Sequence, residues 1–141
     1  EAPRYISWSH QNRSQLIRIP VPSGEKACME LRSPDPSFNP YLAFALIISA
    51  GLEGIEKNLA LPAAVNENLY EAEEKITSEL ECLPRDINEA VLLAGQSEFV
   101  KRIIGEENFT RFMAIENEEA SAFKKTQNKR EFYRERYFKT I

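Results

Sequence analysis

The fold of this chain is decided by residues 29–52, which read MELRSPDP over 29–36 and NPYLAFALIISAGL over 39–52. Residues i and i+2 of an extended strand point to the same face, so Glu30 and Arg32 should project together from a strand. Asn39 can cap a helix, and Pro40 suits the first helical position because proline lacks the amide that would be unpaired there. The segment predicts a strand with polar side chains on one face, followed by a helix that starts at Pro40.

One further segment upstream, residues 16–21, has the composition of a strand, and the strand that carries Glu30 and Arg32 covers residues 27–32. Residues 16–21 and 27–32 are separated by the turn residues Pro22-Ser23-Gly24, so we predict that they pair as a hairpin-like unit. Pairing would place Arg18 on one strand beside Glu30 and Arg32 on the other. The loop Asn12-Arg13-Ser14 precedes the first strand, and such a loop can aim a side chain at a site that strands hold.

The rest of the chain is predicted to be mostly helical. The helix from Pro40 to about Leu59 is apolar nearly all round, which is typical of a central buried helix. Further helices are predicted at about 71–81, from the N-cap Asp86 to Gly95, from the N-cap Ser97 to Gly105, from Glu106 to an interruption at 126–128, and beyond Asn128. The acidic run from Glu116 to Glu119 is interpreted as a solvated helix face.

These patterns predict an α+β fold in which N-terminal antiparallel strands pack on a central buried helix and a mostly helical C-terminal half follows. Residues 1–36 should be mainly strand and residues 39–141 mainly helix. A chain of 141 residues can form one domain with one core. We therefore predict that residues 1–141 form a single structural unit.

Composition and charge exclude several classes of function. The formal net charge of −4 gives no electrostatic basis for binding nucleic acid. The apolar run from Tyr41 to Leu52 is too short to span a bilayer, so no membrane partner is predicted. Cys28 and Cys82 have no CxxC spacing, and two distant cysteines are consistent with a reducing cytoplasm.

Three arginines and one carboxylate lie within twenty residues and could converge: Arg13, Arg18, Arg32 and Glu30. Arginine presents a planar fork that matches carboxylate and phosphate oxygens, so the cluster indicates an anionic ligand. The alternative is a pair of surface salt bridges on an exposed sheet face. Glu30 could also bind a hard cation such as Mg²⁺ or Mn²⁺, although no second carboxylate lies at motif spacing.

The order of short motifs along residues 5–55 is more specific than this clustering. They are Asn12-Arg13-Ser14, Arg18-Ile19-Pro20, Glu30-x-Arg32-x-Pro34-Asp35, Asn39-Pro40-Tyr41-Leu42-Ala43 and Ala50-Gly51-Leu52. This order resembles the C-terminal part of the catalytic domain of glutamine synthetase. A later Asn68-Leu69-Tyr70 fits the same family more loosely, and we predict that Tyr70 is a packing residue.

The resemblance implies a ligase that makes glutamine from glutamate, ammonia and ATP through a γ-glutamyl phosphate. It implies bound Mg²⁺ or Mn²⁺, ATP as a substrate and a homo-oligomeric assembly. By resemblance, Glu30 is a metal ligand and Arg32 holds the substrate glutamate. Arg13 is a catalytic and substrate-binding residue near the transferring phosphate, and Arg18 binds the nucleotide phosphates.

Two features of the sequence limit what the resemblance implies. Cys28 occupies a position where the family usually has an arginine, and the family's upstream carboxylates and histidine are not among these 141 residues. We therefore predict that the chain alone is inactive. Two alternatives remain open: a glutamate ligase that uses another amine, and a non-catalytic structural or oligomerising relative.

Overall fold

The computed structural model describes residues 2–20 and 27–138. These residues form strands β1 (Trp8–Ser9), β2 (Ile17–Arg18) and β3 (Glu30–Leu31), and helices α1 (Pro40–Glu56), α2 (Glu74–Thr77), α3 (Ile87–Gly95), α4 (Glu98–Ile104), α5 (Glu106–Lys125) and α6 (Lys129–Arg136). Strands are confined to the N-terminal part and helices dominate the rest. The predicted α+β class is confirmed.

The backbone contacts divide the chain into two compact units. The first comprises Glu1–Asp35 and Ala60–Leu83, and the second comprises Pro36–Leu59 and Pro84–Ile141. The first unit contains the three strands and α2, whereas the second contains the other five helices that the structure describes. That residues 1–141 act as a single domain stays a prediction.

The strands form one sheet in the order β1-β2-β3. Strands β2 and β3 are antiparallel, with Arg18 directly opposite Glu30, as the sequence predicts. Strands β1 and β2 are parallel, however, and each strand has only two residues. Pro20 lacks the amide needed to extend β2. The predicted turn at Pro22-Ser23-Gly24 lies in residues 21–26, outside the described residues.

Helix α1 begins at Pro40 as predicted, because the Asn39 side chain accepts hydrogen bonds from the amides of Tyr41 (3.0 Å) and Leu42 (3.3 Å). It ends at Glu56 instead of near residue 59, and Asn58 just beyond it has a positive φ of 49°. A residue in that left-handed region does not continue a right-handed helix.

The prediction that α1 is buried is wrong for this chain, since none of its residues is buried. Helix α4 packs against one side of α1, and Arg102 Nη2 contacts Glu53 Oε2 at 2.6 Å. An apolar stripe is left exposed along α1: Tyr41, Phe44, Ile48, Leu52 and Ile55. The helix is hydrophobic all round, as the sequence shows, but the described residues do not cover it on all sides.

Capping side chains fix several of the remaining helix boundaries. The Asp86 carboxylate accepts hydrogen bonds from the amides of Asn88 (2.8 Å) and Glu89 (3.1 Å) at the start of α3. Ser97 Oγ accepts from the amide of Val100 at 3.2 Å and caps α4. Gly105 separates α4 from α5 with a φ of 78°, in the region that favours glycine. Helix α2 is a single turn, shorter than the predicted 71–81.

The second unit is held together largely by α3 packed on α5. The buried apolar side chains of this unit are Val91, Ile104 and Ala120. A Cβ on Gly95 would lie 3.2 Å from Met113 Cε, so glycine permits the close approach of the two helices. Glu119 is also buried, which contradicts its interpretation as part of a solvated face. Within residues 2–20 and 27–138, no helix has the length and apolar character needed to cross a membrane.

Candidate active site

The antiparallel pairing of β2 with β3 brings Arg18 and Glu30 into direct contact. Arg18 Nε donates to Glu30 Oε2 at 2.9 Å, and Arg18 Nη2 donates to Glu30 Oε1. The guanidinium and the carboxylate thus meet through two parallel hydrogen bonds, a geometry that fixes their relative orientation. The sequence prediction that these two side chains share a face is confirmed.

Two other arginines lie close enough to affect Glu30. The hydrogen bond from Arg18 lowers the pKa of Glu30, and the positive charges of Arg18, Arg13 and Arg32 lower it further. The same hydrogen bond raises the pKa of Arg18. The four residues that the sequence singled out therefore form one electrostatic cluster, with Glu30 ionised among three cations.

Arg32 is anchored through its backbone, whereas its side chain has an unused donor. Its amide donates to the carbonyl of Leu16 at 2.9 Å, which extends the β2–β3 ladder by one position. Its Nη1 is buried and has no hydrogen-bond partner among the described residues. A buried polar donor without a partner is unfavourable, so this is the position where an anionic ligand oxygen would restore a hydrogen bond.

Arg13 lies on a tight turn whose flanking residues are tied together. Asn12 Oδ1 accepts from Ser14 N and from Ser14 Oγ, each at 2.9 Å. Ser9 Oγ accepts from Asn12 N at 3.0 Å and lies 3.1 Å from Asn12 O. Arg13 itself is exposed. The turn is thus fixed by its neighbours while the guanidinium is available to a ligand.

A second segment of the first unit holds this turn from behind. Ser14 and Gln15 are buried and bond to residues 65–69, with the amide of Leu69 donating to Ser14 Oγ at 2.9 Å. Leu69 is buried, whereas Tyr70 is 52% exposed, so the prediction that Tyr70 packs is wrong. Sequence reasoning missed Ser14 and Gln15 as scaffold residues. Their only signal was a run of small and amide side chains just before an apolar strand.

The described residues do not by themselves form a metal site. Across residues 2–20 and 27–138, no group of three or more His, Cys, Asp or Glu side chains could hold a metal ion. Glu30 offers one carboxylate, and both of its oxygens accept from Arg18. One carboxylate is too few for the several oxygen ligands that Mg²⁺ or Mn²⁺ requires.

The cluster is suited to binding an anion. Three guanidinium groups and one carboxylate leave a net charge of +2, from three positive charges and one negative charge. A positive site with fixed planar donors favours carboxylate and phosphate groups over neutral or cationic ligands.

Comparisons with known proteins identify the family to which the chain belongs. Residues 1–135 match the family model for the glutamine synthetase catalytic domain. Glutamine synthetase of Methanosarcina mazei is 44% identical over 88% of this chain, and that of Pyrococcus horikoshii is 42% identical over 98%. Glutamine synthetase of Thermotoga maritima is 47% identical over 80% of this chain.

These relatives are much longer than the chain, which covers 28%, 34% and 26% of their lengths, respectively. A solved structure of apo GmaS without ligand matches 97% of this chain and 30% of its own, with a TM-score of 0.75 and 29% identity. The family model covers nearly every residue, including all four members of the cluster. The chain therefore belongs to the glutamine synthetase catalytic-domain family.

Proposed function

We propose that this chain supplies the arginine-rich part of the active site of an ATP-dependent glutamate–ammonia ligase, which makes glutamine through a γ-glutamyl phosphate. Membership of the family supports the reaction class. The contact of Arg18 with Glu30, together with the lowering of the Glu30 pKa by the charges of Arg13 and Arg32, supports the location of the site. The parts of the site that these residues lack would come from outside the 141 residues.

The observation that carries the proposal is the buried, unpaired Nη1 of Arg32. Burial strengthens a charge-assisted hydrogen bond, because water no longer competes for the donor. A glutamate carboxylate that accepts from this nitrogen would satisfy it and would be held by an arginine that β3 and its ladder keep in place. Arg32 is therefore proposed to bind the substrate glutamate.

Arg18 and Glu30 retain bonding capacity beyond their mutual pair. A guanidinium has about five N–H donors and a carboxylate about four lone-pair sites, and the pair uses two of each. Their side chains are 18% and 41% exposed, respectively, so other groups can approach them. Arg18 is proposed to direct its remaining donors to nucleotide phosphates while Glu30 keeps its orientation fixed.

Arg13 is proposed to act on the transferring phosphate as a catalytic and substrate-binding residue. Phosphoryl transfer depends mainly on positioning the reactants and neutralising the charge that develops on the phosphate oxygens. An exposed guanidinium on a turn held by hydrogen bonds meets both needs. Its position on the loop before β2, separate from Arg32 just after β3, allows the two arginines to bind different parts of the substrates.

Glu30 is proposed as a single ligand of Mg²⁺ or Mn²⁺, with the other ligands supplied from outside this chain. Such ions neutralise phosphate charge and orient phosphate groups when they are bound. We further propose that the complete protein works as a homo-oligomer in the cytoplasm. Both cysteines are free thiols, which is compatible with a reducing compartment.

ATP- and ammonia-dependent formation of glutamine by a full-length protein that carries these residues tests the proposal. We expect activity in the full-length protein and none above background in the isolated chain, because one carboxylate and three arginines cannot assemble a multi-metal site. Parallel assays with other primary amines would identify a ligase with a different acceptor. A full-length protein that binds neither ATP nor glutamate would instead be a non-catalytic relative.

A further inference from the structure

Gln15 is the largest fully buried side chain among the described residues, and the proposed chemistry assigns no role to it. Its Nε2 donates to the carbonyl of Val65 and, at 2.9 Å, to the carbonyl of Glu67. Its Oε1 lies 2.5 Å from Ser14 Oγ. A side chain at 0% exposure that uses both amide hydrogens on another segment is a cross-link between two loops.

The segment on the far side of this cross-link is residues 62–69, which we call the bracing loop. Four other hydrogen bonds among the described residues hold it. Trp8 Nε1 donates to the carbonyl of Pro62 at 2.8 Å, and the amide of Val65 donates to the carbonyl of Trp8 at 2.9 Å. Asn12 Nδ2 donates to the carbonyl of Asn66 at 3.4 Å, and the amide of Leu69 donates to Ser14 Oγ at 2.9 Å. Gln15 contacts the middle of the bracing loop. The loop is therefore attached along its length to β1 and to the turn that carries Arg13.

The Arg13 side chain depends on that turn for its position. Among the described residues, its guanidinium makes no hydrogen bond or ion pair that would hold it independently. The residues on either side of it, Asn12 and Ser14, are bonded to each other, and Ser14 is bonded to the bracing loop. The backbone direction at Arg13 is thus set by polar contacts that Gln15 completes.

We propose that Gln15 is a positioning residue for Arg13, fixing the Arg13 turn to the bracing loop so that the guanidinium is presented to the transferring phosphate. This inference rests on the proposed function. A displacement of about 1 Å at a reacting group can lower a rate by about 100-fold. Catalytic groups on loops consequently need a supporting layer of hydrogen bonds.

Steady-state kinetics of Gln15→Met in the full-length protein test the inference. Methionine keeps a similar length but removes the two donors, so we expect kcat to fall by about 10- to 100-fold. The glutamate KM should stay within about twofold, because Arg32 follows β3 and its amide bonds to the carbonyl of Leu16, whereas Arg13 lies on the separate turn. A loss confined to KM would contradict the inference.

A double-mutant cycle with Arg13→Ala separates positioning from general stabilisation. If Gln15 acts through Arg13, Gln15→Met should lower kcat by less than about threefold once Arg13 is already alanine. Two effects that multiply in full would show that Gln15 has only a structural role. Full activity of Arg13→Ala alone would instead overturn the proposed role of Arg13, so the two failures are distinguishable.

Two further variants keep the test decisive. Trp8→Phe removes the Nε1 donor to Pro62 at the other end of the bracing loop, and its effect should multiply with that of Arg13→Ala. If Gln15→Met does not fold, Gln15→Asn keeps the amide but shortens its reach. The same cycle with Gln15→Asn should then show a smaller loss of kcat that again disappears in the Arg13→Ala background.

Discussion

The turn before β2 and helix α1 reverse the usual distribution of polar and apolar side chains. In the turn and its surroundings, the polar residues Ser9, Ser14 and Gln15 are 0%, 2% and 0% exposed. In α1, the most hydrophobic segment of the chain, no residue is buried, and Tyr41 and Ile55 are 84% and 77% exposed.

The difference shows that the described residues supply the packing and hydrogen-bond partners of the Arg13 turn to a greater degree than those of α1. Hydrogen bonds within the first unit satisfy the buried side chains of Ser14 and Gln15 beside Arg13. This part of the turn therefore has its partners among the described residues. The apolar face of α1 gains little from burial, although burying such side chains would stabilise a protein by about 1.5–3 kcal/mol each. The Arg13 turn is thus held by contacts within the described residues, whereas the apolar stripe of α1 is not covered by them.

The largest expected effect of this contrast is self-association of the isolated chain. The stripe of Tyr41, Phe44, Ile48, Leu52 and Ile55 repeats at intervals of three and four residues, the spacing of a helix face that packs on another helix. We expect a dimer or larger assembly at micromolar concentration. Sedimentation equilibrium over a range of concentrations tests this, and a constant mass of 16.2 kDa would contradict it.

Matched substitutions identify the surface responsible for association. Ile48 in α1 and Leu92 in α3 are 61% and 60% exposed, respectively, so Ile48→Glu and Leu92→Glu remove equally accessible side chains. Only Ile48→Glu should weaken association, because a charge in the stripe would have to be buried without a partner. Association that survives Ile48→Glu and a deletion of residues 132–141 would have to run through the exposed edges of the small sheet.

The next expected effect concerns Arg32, whose buried Nη1 has no hydrogen-bond partner among the described residues, in contrast to the buried side chains of Ser14 and Gln15. In the full-length protein, Arg32→Ala should raise the glutamate KM or lower kcat/KM for glutamate by about 10- to 100-fold, since a charge-assisted hydrogen bond is lost. The KM for ATP should change by less than about twofold. Arg85→Ala is the control, because that side chain is 82% exposed and lies 3.9 Å from its carboxylate partner.

Local chemistry made part of this fold predictable from the sequence. Asn39 and Asp86 cap their helices with the hydrogen bonds expected of those residue types. The pairing of Arg18 with Glu30 follows from the spacing of two short strands. Each of these features depends on residues that lie close together in sequence, so their outcome did not require knowledge of distant contacts.

The features that the sequence did not predict depend on distant partners. Gln15 is buried because residues 65–67 offer it two carbonyl groups, and nothing near position 15 indicates that contact. Glu119 belongs to an acidic run and is buried because Arg136 and Tyr137 of the following segment bond to it. The roles assigned to Arg13, Arg18, Arg32 and Glu30 came from family resemblance and stay predictions.

Glu119 in the second unit is, like Gln15 in the first, a buried polar side chain with hydrogen-bond partners. Its carboxylate accepts from Arg136 Nε and from Tyr137 Oη, each at 2.8 Å. Glu119→Gln removes the charge from both bonds, so the free energy of unfolding should fall by about 1–3 kcal/mol in urea denaturation. Glu118→Gln, at an exposed neighbour on α5, should change it by less than about 0.5 kcal/mol. Equal losses would show that the buried carboxylate contributes nothing specific.

The smallest expected effect is a loss of stability at high pH through Tyr137. Burial, the hydrogen bond to Glu119 and the nearby Glu116 raise the pKa of Tyr137 to about 12, from an ordinary value of 10.0. The folded state therefore holds this proton more tightly than the unfolded state, and the stabilisation is fully present below pH 10 and is lost as the pH rises through about 12. Ultraviolet titration of tyrosinate should show a component near pH 12 that Tyr137→Phe removes, whereas Tyr70→Phe should leave it unchanged. The absence of a late component in the unsubstituted chain would mean that the phenol does not donate to Glu119 in solution.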